Sequence, residues 1–133
     1  MQFDKNAMFA DEQAITGTTV SENIITTAGD IAGGTPVNFA TVVTEAFNNL
    51  TKLNIAIETC ANDTFASDTS KTIYSEDFTL DDLVKNAVIG TRFFPKGAKN
   101  FCRAKYTVTG TAPTTGRIKQ GVVDAIPDSY EHQ

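Results

Sequence analysis

Apolar and polar residues alternate most clearly over Phe101-Cys102-Arg103-Ala104-Lys105-Tyr106-Thr107-Val108-Thr109. Cys102, Ala104, Tyr106 and Val108 fall on one side, and Arg103, Lys105, Thr107 and Thr109 on the other. A period of two marks a strand with one buried face. Leu53, Ile55 and Ile57, with Asn54 and Glu58 around them, read the same way. Shorter runs predict further strands at Gln13 to Val20, Asn23 to Thr27, Val37 to Thr44, Lys71 to Phe78, Val88 to Phe94 and Arg117 to Val123. Turn residues punctuate them: Gly29-Asp30 leading to Gly33-Gly34-Thr35-Pro36, then Pro95-Lys96-Gly97, then Gly110 to Gly116.

One stretch carries two periods. Phe39, Val42, Val43, Ala46, Phe47 and Leu50 recur at helical spacing, whereas Thr41 to Thr44 are all β-branched and favour a strand. We read it as a strand followed by a loop. A single helical turn is predicted over Leu80 to Lys85, capped by Thr79 ahead of Asp81 and Asp82. About eight short strands with frequent turns make an all-β fold: a sandwich, a jelly roll or a small barrel.

The 133 residues and 14.3 kDa suit one domain spanning 1–133, with an N-terminal arm over 1–12 and a fraying polar tail over 128–133. A hydrophobic content of 41% is enough for an ordinary core, so disorder is not the default. Cys60 and Cys102 form neither a disulfide framework nor a zinc spacing, and read as small buried thiols, though their pairing stays open. The start of the chain lacks the basic and apolar regions of a signal peptide, and no apolar run is long enough to span a bilayer. Synthesis in a cytoplasm is the expectation.

A net charge of −5 argues against bulk attraction to nucleic acid or anionic membrane. Its distribution is uneven. From Leu83 to Val123 there is no acid, while Lys85, Arg92, Lys96, Lys99, Arg103, Lys105, Arg117 and Lys119 all lie there. Such segregation suits docking of one copy on another, unless folding mixes it back.

Catalytic signatures are missing. The single histidine, His132, is one residue from the C-terminus, which disfavours acid–base and nucleophilic triads. Glu76-Asp77, Asp81-Asp82, and Asp63 with Asp68 are the carboxylate groupings open to calcium or glycoside chemistry, without the spacing of a calcium loop. The Gly29 to Gly34 loop lacks a phosphate-binding pattern. Arg92, Phe93, Phe94, Lys96, Lys99, Phe101, Arg103, Lys105 and Tyr106 interleave bases with aromatics, as single-strand binders do, but Tyr106 belongs to the apolar face. Phe101 falls on the polar side beside Arg103, a combination typical of protein–protein interfaces.

Several blocks together resemble the capsid cement, or decoration, protein family of short-tailed bacteriophages. These are Met1 to Lys5 with Asp11 to Thr16, Gly29 to Pro36, Glu45 to Thr51, and Tyr106 to Gly116. The similarity runs over nearly the whole chain; Cys60, Cys102 and the tail after Pro127 depart from it. The resemblance implies a jelly-roll β-sandwich that trimerises on the outer surface of the virion capsid and clamps neighbouring major capsid proteins. It implies no catalytic residue, cofactor or metal, and no nucleic-acid, membrane or small-molecule partner. On that reading the contact surfaces are the N-terminal arm, with Phe3, Met8 and Phe9, and the basic stretch, with Arg92, Lys96, Lys99, Phe101 and Arg103. Two rivals remain: a jelly-roll module recognising a glycan or host receptor, and an enzyme working through Asp77 or Asp82.

Overall fold

The computed structural model describes residues 3–26, 37–61, 65, 70–95 and 101–123. Among them are nine strands and no helix: β1 (Phe3–Ala14), β2 (Thr19–Val20), β3 (Ile25–Thr26), β4 (Phe39–Glu45), β5 (Leu50–Cys60), β6 (Lys71–Thr79), β7 (Val88–Ile89), β8 (Phe101–Gly110) and β9 (Arg117–Val123). One sheet has the order β1-β9-β4-β7, the other β2-β8-β5-β6, with β3 also paired to β8. Every pairing is antiparallel. From β4 onward the chain alternates between sheets except for the β5–β6 hairpin. This is the order of a jelly roll in which β2 and β3 share one strand position.

The inner faces meet where the alternation predicted. Leu53, Ile55 and Ile57 of β5 and Cys102, Ala104 and Tyr106 of β8 are buried against Phe9, Phe39, Val43 and Ile118 of the facing sheet. Phe9, Phe39 and Phe94 pack as an aromatic trio, with ring centroids 5.6–6.3 Å apart. Phe39 meets the other two edge-on and Phe9 stacks on Phe94, and such pairs add about 0.5–1.5 kcal/mol each beyond their buried area. One polar bridge crosses the core, from Tyr106 through Gln120 to Thr41.

The helical period over 39–50 yields to β4, because Thr41 and Val42 pair with both β9 and β7, and Val43 with β9. Residues 46–49 then form the loop into β5. Residues 80–86 make consecutive turns rather than a helix. The Asp82 carboxylate accepts the Thr79 backbone N–H at 3.2 Å, so the anticipated capping pair is present with its roles exchanged.

The N-terminus departs most from the sequence reading. Residues 3–14 are a strand paired with β9, not an arm, and the strand expected over 13–20 is a bend at 16–18 followed by the short β2. The reason is burial on both faces: Ala7, Met8, Phe9 and Ala10 are all buried, so the run shows no alternation.

The sheet edges are blunted. β2, β3 and β7 are two residues long, β1 has three register shifts against β9, and β6 is shifted beside Ile57 and Glu58. Short and bulged edges discourage strand addition, which leaves the faces and ends of the sandwich for contact.

Candidate functional site

The strands run between two ends. At one, β1 begins with Phe3 opposite Val123, Asn38 bridges Phe93, and β8 begins with Phe101 opposite Cys60 and Thr26. The Arg92 carbonyl accepts the Phe39 N–H at 2.9 Å. The fold thus gathers Phe3, Arg92 and Phe101, which are far apart in sequence, at one end. Lys96 and Lys99 lie outside the described residues, as do His132, Asp63, Asp68 and the Gly29 to Gly34 loop.

Met8 and Phe9 do not join this surface. Phe9 is wholly buried in the aromatic trio, and Met8 packs against Gly121, where an added Cβ would lie 2.8 Å from the Met8 Cα. Both are core residues of a paired strand, so neither presents a contact surface.

Arg103 stands on the outer face of its sheet as the alternation predicted, but its charge is engaged within the chain. Its Nε donates to Glu58 Oε1 at 2.8 Å, and its guanidinium lies 4.6 Å from the Phe65 ring centroid. The pair is largely covered, with side-chain exposures of 25% and 16%. Arg103 therefore fastens Phe65 to the outer face rather than offering a free cation. Phe101 is half-buried beside it, and its carbonyl accepts the Thr59 hydroxyl at 3.0 Å. The Lys119 ammonium lies 5.3 Å from the Phe3 ring centroid and 3.7 Å from an Asp11 oxygen.

Phe93 was absent from the sequence-derived contact set, yet it is 50% exposed while its neighbour Phe94 is buried. The Thr91 hydroxyl fixes the local backbone, accepting the Phe93 N–H at 3.2 Å and donating to the Phe93 carbonyl at 2.8 Å. The signal was the adjacent pair itself: on an extended segment one of two consecutive aromatics must face away from the core. Which one does so depends on register, which sequence alone leaves open.

Asp77 accepts hydrogen bonds from Asn54 at 2.9 Å and Lys52 at 3.5 Å, and the Asn54 bond, assisted by Lys52, holds its carboxyl below the usual range. The Tyr74 hydroxyl donates to Glu76 at 2.7 Å and accepts the Thr91 N–H at 3.2 Å, tying β6 to the edge of the opposite sheet. No group of three His, Cys, Asp or Glu among the described residues could hold a metal ion. Tyr106 and Phe94 are core residues, which breaks up the stacking platform a single-strand binder would use. Cys60 and Cys102 are both buried thiols, not joined in a disulfide. Cys102 pairs with Thr59 and Cys60 with Phe101, so the two thiols sit one register apart and point to opposite faces of the sheet. Burial raises the Cys102 thiol pKa, a bond from Thr59 opposing it.

The family model Bbp16 matches residues 9–122, nearly the entire sandwich. Among curated proteins, none matches the chain.

Proposed function

This chain belongs to the Bbp16 family of phage proteins, and from that premise we propose that it is a non-enzymatic capsid decoration protein. It sits on the outer surface of the shell as a trimer, bridges neighbouring major capsid proteins, and holds the shell against the pressure of packaged DNA. A cementing role requires complementary surface and no chemistry, which suits a fold whose carboxylates at Glu58, Asp77 and Asp82 are spent on internal bonds.

The observation that carries this reading is the aromatic end. Phe93 is half exposed beside Arg92, at the end shared with Phe3 and Phe101. An exposed aromatic with a neighbouring arginine is the composition enriched at the centre of protein interfaces. With the strand edges blunted, this end is where one copy meets another in our reading. Weak contacts repeated around a closed ring then add up through avidity.

The test has two parts. Light scattering on a sizing column should give about three times the chain mass, and the protein should co-sediment with capsids purified without it. A monomer that ignores such capsids would remove the proposal, and would favour a module recognising a glycan or host receptor.

A further inference from the structure

The opposite end of the sandwich is built differently. Four connections meet there: residues 15–18, 46–49, 80–87 and 111–116. Hydrogen bonds stitch them into a continuous row. The Ile15 N–H donates to the Gly116 carbonyl at 3.1 Å, and the Phe47 N–H to the Leu83 carbonyl at 3.1 Å. Asn48 Oδ1 accepts the Thr114 N–H at 2.8 Å while its Nδ2 donates to the Thr114 hydroxyl at 2.8 Å. The Thr115 hydroxyl donates to the Ala46 carbonyl at 2.9 Å. Asn49 and Asn86 hold positive φ angles of 68° and 71°, joined by Gly110 and Gly116. Backbone of this kind persists only where the surroundings enforce it, and it concentrates at working surfaces.

The 80–87 connection is firmly pinned. Leu83 is wholly buried in the core, and the Asn86 N–H and Ala87 carbonyl both bond Val43 of β4. Yet Leu80 and Val84, on either side of that anchor, face outward at 36% and 50% exposure. A rigid loop presenting two aliphatic side chains to water forgoes their burial, and rigidity lowers the entropy lost when a partner covers them. Charge narrows the partner. Lys52 pairs with Asp77 and Arg117 with Glu45, which leaves Glu12, Asp81 and Asp82 against Lys85 among the described charges of this end.

Building on the decoration reading, we propose that this row of loops is the shell-facing surface, docking a capsid-protein patch that is apolar at its centre and cationic around it. Leu80 and Val84 fill the apolar contact and Asp81 meets the cations. The aromatic end stays free for contacts between copies. One loop is too small for a specific interface, which typically covers about 800 Å² per partner; the stitched row supplies the breadth.

The experiment uses the full chain and purified capsids lacking it, with co-sedimentation at two salt concentrations. A Leu80→Ser/Val84→Ser protein should bind roughly tenfold more weakly or worse, with its solution mass and melting curve unchanged. Asp81→Lys should also weaken binding and flatten its salt dependence. Wild-type affinity in both variants would overturn the assignment of this surface while leaving the decoration reading intact. Failure of the wild-type protein to bind capsids would overturn that reading, and this surface with it.

Discussion

The Tyr106 hydroxyl donates a 2.7 Å hydrogen bond to the side-chain carbonyl of Gln120, crossing the interior from β8 to β9. Gln120 passes the link on, its Nε2 donating to the Thr41 hydroxyl at 2.9 Å. All three residues are buried, so the chain fixes the lateral position of one sheet over the other. Removing one partner strands the other. Tyr106→Phe should therefore destabilise the protein by about 1–3 kcal/mol, the cost of an unsatisfied buried acceptor. The triple variant Tyr106→Phe/Gln120→Met/Thr41→Val should recover part of that loss, because no polar atom of the bridge is then left unpaired. Urea midpoints of the two proteins decide the matter; equal destabilisation in both would mean that packing, not the hydrogen bond, sets the cost.

The same burial makes the fold sensitive to alkali. Burial raises the Tyr106 pKa, with the Glu22 charge adding to it, and burial followed by Glu76 raises that of Tyr74. Both folded values lie above the unfolded one near 10. Below that pH the two states bind the same protons at these sites and stability is unaffected. Above it the unfolded chain loses phenolic protons that the folded chain keeps, so stability falls as pH rises. Phenolate absorbance should thus appear for these two tyrosines only together with unfolding. Gradual ionisation of both in a protein whose circular dichroism stays native would contradict the burial argument.

Much of this architecture was legible in the residue pattern. The outer and inner faces of β8 follow from the alternation at 102–109, and β9 has the bounds its sequence predicts, Arg117–Val123. Legibility failed where both faces of a strand are buried, as at Ala7 to Ala10, because alternation then vanishes. It also failed where register assigns roles, as between Phe93 and Phe94. Of the residues proposed for contact, Phe3, Arg92 and Phe101 fall at one end of the sandwich. Arg103 looked like a free cation because its partners, Glu58 and Phe65, lie 45 and 38 residues away in the chain. Long-range pairing of this sort leaves no local trace.

Gly116 offers a sharp contrast with Gly17. Gly116 has a φ of 135°, and a Cβ there would fall 2.5 Å from the Phe47 ring. Gly17 has nothing within 4 Å. Gly116→Ala should cost about 2 kcal/mol or more, from backbone strain and displacement of a buried aromatic. Gly17→Ala should stabilise by about 0.4–1 kcal/mol through the unfolded chain. Thermal melts of the pair test whether the 46–49 and 111–116 loops are as closely fitted as the geometry implies; a small effect at Gly116 would show that Phe47 yields easily.

Arg103 and Phe93 should separate stability from association. Arg103→Ser leaves Glu58 poorly exposed and unpaired and takes the cation from beneath the Phe65 ring. A charged hydrogen bond in that setting is worth about 1.5–3 kcal/mol, so the variant should unfold at lower urea concentration. Phe93 is half exposed, and its backbone bonds to Thr91 and Asn38 do not involve the ring. Phe93→Ser should therefore keep the wild-type urea midpoint while its mass in solution drops toward that of a single chain. A Phe93→Ser protein that keeps its oligomer would move the copy-to-copy contact away from the aromatic end. An Arg103→Ser protein of full stability but reduced mass would return Arg103 to the contact surface, as the sequence first suggested.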